Sequence, residues 1–424
     1  MNKNIKLAVA GAVLALSASA ANAGIVIPAG EWTLDISGNV NYYTSWTKNS
    51  RGSNNTITGG LVNPDGNDVQ GSTNTMGNGL LPNFLSVSGS TRQNDLDVTF
   101  LISIQPGSAS NAALRQVAGG GTSSNQNAGG MNNRQAFITF GDKSWGSIKM
   151  GKDLGIFASD AILGDMTLLG VGAGSAGSAG NTSLGRIGAG YIYADWKPQI
   201  AYTTPNFNGL QATVGISKAF DSLANGSGAD YGNAGVANAN VAYEGKASYS
   251  FAANDITGKV WVSGIAQHVG KIYPGSSATN DDPTAYAADI GINAKMSGFD
   301  LTGYYYSGSG IGTTGQMLQG YSRDAGSKWT ARDSDGGYVQ AIYTLPTKTR
   351  LGVSWGVSNL DLTGNELSNN NNIVKSNELW TAMVMHPLTK HLTLVAEYDN
   401  LQAENHYGDK NTANTGSLGA ILFF

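Results

Sequence analysis

Trp32-Thr33-Leu34-Asp35-Ile36-Ser37-Gly38-Asn39-Val40-Asn41-Tyr42-Tyr43-Thr44-Ser45-Trp46 is two surfaces interleaved in one stretch. The even positions are largely apolar and aromatic at both ends, and the odd positions are polar. Side chains alternate across a strand with period two, so the stretch reads as a strand with one greasy and one wet face. The step from Trp32 to Tyr42 covers roughly 33 Å of strand, and a tilt of about 40° projects it to roughly 25 Å, the height of the lipid-facing band of a transmembrane barrel. Strands of soluble sheets usually end after about five or six residues. The stretch therefore points to a bilayer.

Composition agrees. Charged residues make up 13% of the 424-residue chain, about half the roughly 25% of an average soluble protein. No segment after the leader offers about 18 consecutive apolar residues, so helical spans are excluded. Residues 1–23 read as a signal peptide: Lys3 and Lys6, an apolar run from Leu7 to Ala18, then the small-x-small site Ala21-Asn22-Ala23. Its removal leaves 23 basic against 29 acidic residues, a net charge of −6 on residues 24–424. That balance offers no partner surface to nucleic acid. The absence of cysteine rules out a disulfide framework.

The alternation recurs to the last residue. Leu96, Val98, Phe100 and Ile102 form one row. Leu210, Ala212, Val214 and Ile216 form another, and Leu418, Ala420, Leu422 and Phe424 the last. Sixteen strands are predicted, near 31–46, 83–90, 94–104, 133–140, 146–152, 197–204, 209–219, 242–252, 255–268, 284–295, 299–307, 336–344, 348–358, 376–385, 390–400 and 415–424. Eighteen is the alternative count, if 47–82 or Tyr191–Trp196 hides further strands. The connections are read as strictly alternating between short Gly/Pro/Asn turns and long Gly/Ser/Asn-rich segments, as the two ends of an outer-membrane barrel do. The expected fold is all-β, a transmembrane antiparallel β-barrel. The inward row of the first strand, Asp35, Asn39 and Asn41, is expected to face the water column, together with Asp95 and Asp97. The strand at 133–140 lacks a clean lipid face and is expected to contact a neighbouring protomer through residues such as Phe137.

Candidate chemistry is sparse. Gly172-Ala173-Gly174-Ser175-Ala176-Gly177 fits G-x-G-x-x-G but lacks a strand–turn–helix context. His268, His386, His391 and His406 are scattered, and no metal set or cofactor site is read. Asp65-Gly66-Asn67-Asp68 reads as an ordinary polar loop rather than a calcium site. No catalytic constellation is read, so the chain is not expected to be an enzyme.

Three runs carry a family resemblance: Asn133-Arg134-Gln135-Ala136-Phe137, Gly146-Ser147-Ile148-Lys149-Met150-Gly151-Lys152 and Pro205-Asn206-Phe207-Asn208-Gly209. In order and spacing they resemble the general diffusion porins of Gram-negative bacteria, most closely the beta-proteobacterial type, and the final Phe424 is similar too. The resemblance implies a homotrimer in the outer membrane, in contact with lipid and lipopolysaccharide. It also implies recognition of the C-terminal strand at Phe424 by the barrel-assembly machinery. It implies a third external loop folded into the lumen, here about 153–188, whose Asp160 and Asp165 match acidic positions facing a basic wall. Arg134 and Lys152 match two wall positions, Lys197 points inward in the row with Gln199 and Ala201, and Arg186 lies near a further basic position. Where the family has an Arg and a Lys-Gly on its second strand, this chain has Asn83 to Gly89. The wall loses charge there, and no anion preference follows.

Carboxylates facing cations set a transverse field across a narrow slot, and rings of charge set ion selectivity. The expected function is a water-filled channel for passive diffusion of ions and small hydrophilic solutes. A substrate-selective porin for a sugar or carboxylate is the alternative, with Tyr304 and Tyr306, or Tyr305, as candidate aromatic contacts. An outer-membrane hydrolase or adhesin is the third reading.

Overall fold

The computed structural model describes residues 24–50, 57–62, 71–108, 131–174, 176, 182–220, 241–268, 284–323, 329–364, 366 and 372–424. The signal peptide, the Asp65–Asp68 run, and Ser175 and Gly177 of the glycine-rich run lie outside the described residues.

The strands are β1 (Ile25–Ala29), β2 (Trp32–Asn49), β3 (Ser72–Gly77), β4 (Phe84–Gln93), β5 (Leu96–Pro106), β6 (Met131–Asp142), β7 (Gly146–Leu154), β8 (Trp196–Thr203), β9 (Leu210–Lys218) and β10 (Val241–Ala253). They continue as β11 (Ile256–His268), β12 (Thr284–Met296), β13 (Phe299–Ser309), β14 (Tyr321–Arg323), β15 (Trp329–Ala331), β16 (Asp333–Thr344), β17 (Arg350–Leu360), β18 (Val374–Pro387), β19 (Leu392–Asn405) and β20 (Lys410–Phe423). β14 and β15 form a separate small hairpin, and the other 18 form one sheet.

Those 18 make 16 staves. β3 and β4 pair with the two halves of one edge of β2, at Tyr43–Lys48 and Thr33–Asn39. β20 and β1 divide its other edge, at Asn39–Asn49 and Trp32–Ile36. β2 thus closes the ring against β20, giving a closed antiparallel barrel of 16. All sixteen rows of the sequence reappear as strands. The 47–82 segment does hold a further strand, β3, but only as half a stave, and Tyr191 to Asp195 precede β8.

One expectation about the connections fails. Strict alternation makes the gap 401–414 between the last two rows a long connection, but β19 and β20 run on as fourteen-residue strands and leave only 406–409 between them. The polar alternation Gln402-Ala403-Glu404-Asn405 extends the ladder past the apolar band, which apolar spacing alone misses. At the opposite end the turns are tight. Asn94 and Asp95 have φ of 48° and 62°, and Ser297 and Gly298 have 48° and 86°. Paired positive φ values are the signature of type I′ hairpin turns, whose twist matches that of the strands.

Parity sorts the side chains. Val40, Tyr42, Trp46, Ile102, Val214, Val262, Ile290, Val353 and Leu418 are exposed on the outer face. Facing inward are Asn39, Asn41, Tyr43 and Ser45, all buried. Phe137 is also buried and inward, with Lys149 Nζ 5.5 Å from its ring centroid, so it is Ala136 and Ile138 that β6 presents outward. Tyr305 is exposed outside, whereas Tyr304 and Tyr306 are buried inside. A hydrophobic cluster therefore lies within the lumen, where Phe157, Ala161, Ile162, Tyr191 and Ile192 pack on Trp261, Ile265, Tyr304, Tyr306 and Tyr338 of the wall.

Candidate functional site

Residues 155–195, between β7 and β8, supply the lumen side of that cluster. The segment contains a short helix α1 (Ser159–Gly164) and a 3-10 turn at Met166–Leu169. A segment inside a barrel must satisfy its backbone polar groups without a ladder of its own, and here the wall does it. Glu244 on β10 accepts from the amides of Ile156 and Phe157 at 2.8 and 2.9 Å. Ser263 and Asp289 each accept from the Ala158 amide at 3.3 Å. Tyr338 donates to the Ala161 carbonyl at 2.8 Å, and Gln340 accepts from Met166 and donates to Gly164. Tyr43 donates to the Leu169 carbonyl, and Glu397 accepts from the amides of Val171 and Gly172, 2.7 Å in each case. Three wall carboxylates thus hold the segment by its amides.

The residues singled out from the sequence fall into distinct surroundings. Asp160, on α1, lies 2.9 Å from Lys246 Nζ and 2.5 Å from Lys259 Nζ. Burial pushes its pKa up, but the two ammonium groups outweigh burial and hold it below the usual carboxylate range. Asp165 is 4% exposed and turned away from solvent: it caps the 3-10 turn through the Thr167 amide and accepts from Tyr191 at 2.9 Å. Burial, then the Asp165 charge, holds the Tyr191 phenol well above its ordinary range, so it stays a donor. Arg186 is fully buried, donating to Leu379 O at 2.9 Å and Thr381 Oγ1 at 3.3 Å, with its Nε 3.9 Å from Asp165. Lys197 is buried against Glu244 at 2.5 Å, inside the clamp on the segment's first arm. Arg134 is buried between aromatic rings, 4.2 Å from the Trp196 centroid and 4.6 Å from that of Phe84. Lys152 shares its strand parity with exposed Met150, and its ammonium donates to the Asn133 carbonyl at 3.0 Å.

On the first strand, Asp35 is half exposed. Asn39 and Asn41 point inward but do not reach the water column. Residues 78–83 dip into the lumen over them, and they donate to the carbonyls of Pro82 and Leu81. Asp97 pairs with Arg92 at 2.9 Å, and Asp95 is fully exposed in the β4–β5 turn, off the lumen wall. The reasons differ. For Asn39 and Asn41, alternation reports which way a side chain leaves the strand, not what else occupies the space it enters; Asp95 lies in the turn before β5, where alternation does not apply.

Among the described residues, large cavities lie on either side of the loop. The one toward the long connections has a volume of about 820 Å³ and is bordered by Leu80, Arg134, Lys152, Leu184, Thr314 and Leu318 among others. The one toward the short turns, about 710 Å³, is bordered by Asp160, Asp255, Lys259, Lys295, Asp300 and Arg350. A pocket of about 170 Å³ under α1 holds Lys149, Asp153, Lys246 and Lys259. Sequence reasoning passed over Lys246, Lys259, Glu244, Asp289 and Glu397. For Lys259 the signal was present, since the alternation that puts Val260 and Val262 outside puts Lys259 and Trp261 inside. For the carboxylates it was not, because their partners are backbone amides far away in sequence.

A family model for Gram-negative porins matches residues 9–406. The chain belongs to the Gram-negative porin family. Solved structures agree on the fold of this porin. It is similar to the outer membrane channel DcaP of Acinetobacter baumannii, at 17% identity and TM-score 0.65, with 95% of this chain and 100% of that chain covered. It is also similar to an anion-selective porin from Comamonas acidovorans, at 13% identity, TM-score 0.55, and 93% and 100% coverage. OmpF of Salmonella typhi, in complex with daunomycin, gives 12%, 0.55, and 94% and 100%. No curated protein sequence matches significantly. The porin is an outer-membrane channel for passive diffusion of small solutes, and family and fold are those of a channel rather than of an enzyme.

Proposed function

We propose that solute passage in this porin is controlled by residues 155–195 as a constriction loop, and that its charged element is Asp160 with Lys246 and Lys259. The single observation that carries the reading is the seating of this loop inside the barrel, held by Glu244, Asp289 and Glu397. Of the residues expected to line the constriction, Arg134 and Lys152 border the outer cavity, and Asp160 and Asp165 the inner one. Asp165, Arg186 and Lys197 act in this reading as props that fix the loop. Planar-bilayer recording tests it. The wild-type protein is expected to give stable ohmic steps, and absence of any conductance would defeat the channel reading.

The assembly is proposed to be a homotrimer, with outward Ala136 and Ile138 of β6 against a neighbouring protomer. Lipid, lipopolysaccharide and, through Phe424, the barrel-assembly machinery are its further proposed partners. The chain has no cysteine, so Ile138→Cys places a single thiol at this face. A thiol-anchored photocrosslinker at this position is expected to link protomers, and crosslinks formed only within a protomer would remove β6 from the interface. A solute-selective channel is the second reading, favoured by the largely apolar outer cavity.

A further inference from the structure

The ladder between β5 and β6 slips at Arg134. Ser103 pairs with Gln135 and Ile104 with Asn133, so Arg134 is the extra residue of a bulge. A bulge re-aims the side chain it carries. Parity with Ala136 and Ile138 would send Arg134 outward, yet its guanidinium lies inside, between the rings of Phe84 and Trp196, and the residue is 3% exposed. Nη1 donates to Gln135 Oε1 at 2.7 Å, while Nε has no acceptor among the described residues. Gln135 in turn donates to Asp153 at 2.8 Å, but Asp153 is the ion-pair partner of Lys149, and Arg134 has no such partner among the described residues. Buried charges are ordinarily paired, because an isolated one forfeits its hydration.

This cation borders the outer cavity of about 820 Å³. Lys152 borders it too, and its ammonium donates to a neutral acceptor, the Asn133 carbonyl. Asp195 is the one carboxylate among the described residues on that border, and it accepts from the Trp196 amide at 2.7 Å. The charges on the border therefore sum to a positive one. Most of the remaining surface is apolar: Leu154, Leu163, Leu168, Leu184, Leu318 and Trp196 line it and are half-buried. A hydrated ion gains nothing from leucine. A space of several hundred Å³, largely apolar with a few fixed polar groups, is the usual form of a small-ligand site.

We infer that the outer cavity is a capture site for small monocarboxylates with an aryl or branched-alkyl body. The inference deepens the solute-selective reading and rests on it. The carboxylate meets Arg134, whose plane is fixed by the two rings, in charge-assisted hydrogen bonds, with Lys152 at the edge. The apolar body lies on the leucines, which removes its area from water. Occupancy needs no passage to the inner cavity, so binding is measured apart from conduction.

Isothermal titration calorimetry of the folded, detergent-solubilised porin, against a matched micelle blank near neutral pH, compares phenylacetate with acetate and with benzyl alcohol. Phenylacetate is expected to bind about tenfold or more tighter than either. Arg134→Gln is expected to weaken phenylacetate by about tenfold and Lys152→Gln by about threefold, with benzyl alcohol unaffected by both. Equal binding of acetate would make this a plain anion site, and equal binding of benzyl alcohol a plain apolar one. Either result overturns the inference, as does absence of phenylacetate binding or full affinity in both variants. Should Arg134→Gln fail to give the β-sheet circular dichroism of the wild type, Lys152→Gln carries the charge test alone, and full affinity there overturns the inference. A wild type that binds phenylacetate but gives no conductance defeats the channel reading and not the site.

Discussion

The Gly172 amide donates to Glu397 Oε1 at 2.7 Å, joining the lumen loop to β19 across 225 residues of chain. The other carboxylate oxygen takes the Val171 amide at the same distance, so one side chain satisfies two consecutive donors. Removing it leaves both buried and unpaired, at about 1–3 kcal/mol each. Glu397→Ala is expected to lower the denaturation midpoint and to add fast flicker to single-channel traces. Glu397→Gln, which retains one acceptor, is expected to fall between Ala and wild type. Equal stability of all three would show that the loop is held elsewhere.

Asp160 faces Lys246 and Lys259 together, and neutralising it leaves both cations unpaired in the inner cavity. Asp160→Asn is expected to move the reversal potential in a salt gradient toward anions, with the permeability ratio changing by about twofold or more. Lys259→Gln is expected to move it the other way.

The same group sets a pH dependence. Asp160 lies on the loop, and its pKa in the folded protein is depressed. A depressed carboxylate contributes stability above its unfolded value, about 3.9, and loses it as pH falls through the folded value. The stability gap between wild type and Asp160→Asn is expected to be constant from about pH 8 to about pH 5 and to close only below about pH 4. Denaturant titrations across that range measure it, and a gap that closes near neutrality would contradict the assignment.

Gly79 sits where residues 78–83 cross the loop. A Cβ there would lie 2.1 Å from the Gly170 carbonyl oxygen, which already accepts from the Leu80 amide at 2.9 Å. Gly79→Ala is expected to destabilise the barrel by about 1–3 kcal/mol, seen as a lower melting temperature. An unchanged melting temperature would mean that the crossing can shift freely.

How far the sequence reached follows from the kind of regularity each part has. The wall was legible, strand for strand, because lipid on one side and a packed lumen on the other impose a strict period of two. β1 and β3 escaped, being five and six residues long without clean alternation. The loop's interior placement came from family resemblance, while its contacts have no periodic trace. Arg186 lies near a basic position of the family and Lys197 points inward by parity, yet each is buried beside a carboxylate, Asp165 and Glu244, that no periodicity announces.

The inward dip at 78–83 has a consequence for assembly. Asn83 Oδ1 accepts from the Asn41 amide at 2.7 Å, where Gly77 and Phe84 have left the edge of β2 between them. The dip is fastened in turn to the lumen loop, through Leu80 N to Gly170 O and Ser183 N to Gly79 O. A stave of the wall and the segment inside it therefore complete each other's hydrogen bonding. Excising the loop would take away the acceptor of the Leu80 amide and the donor to the Gly79 carbonyl, and so open polar groups of the wall itself. The gatekeeper is also a rib of the hull.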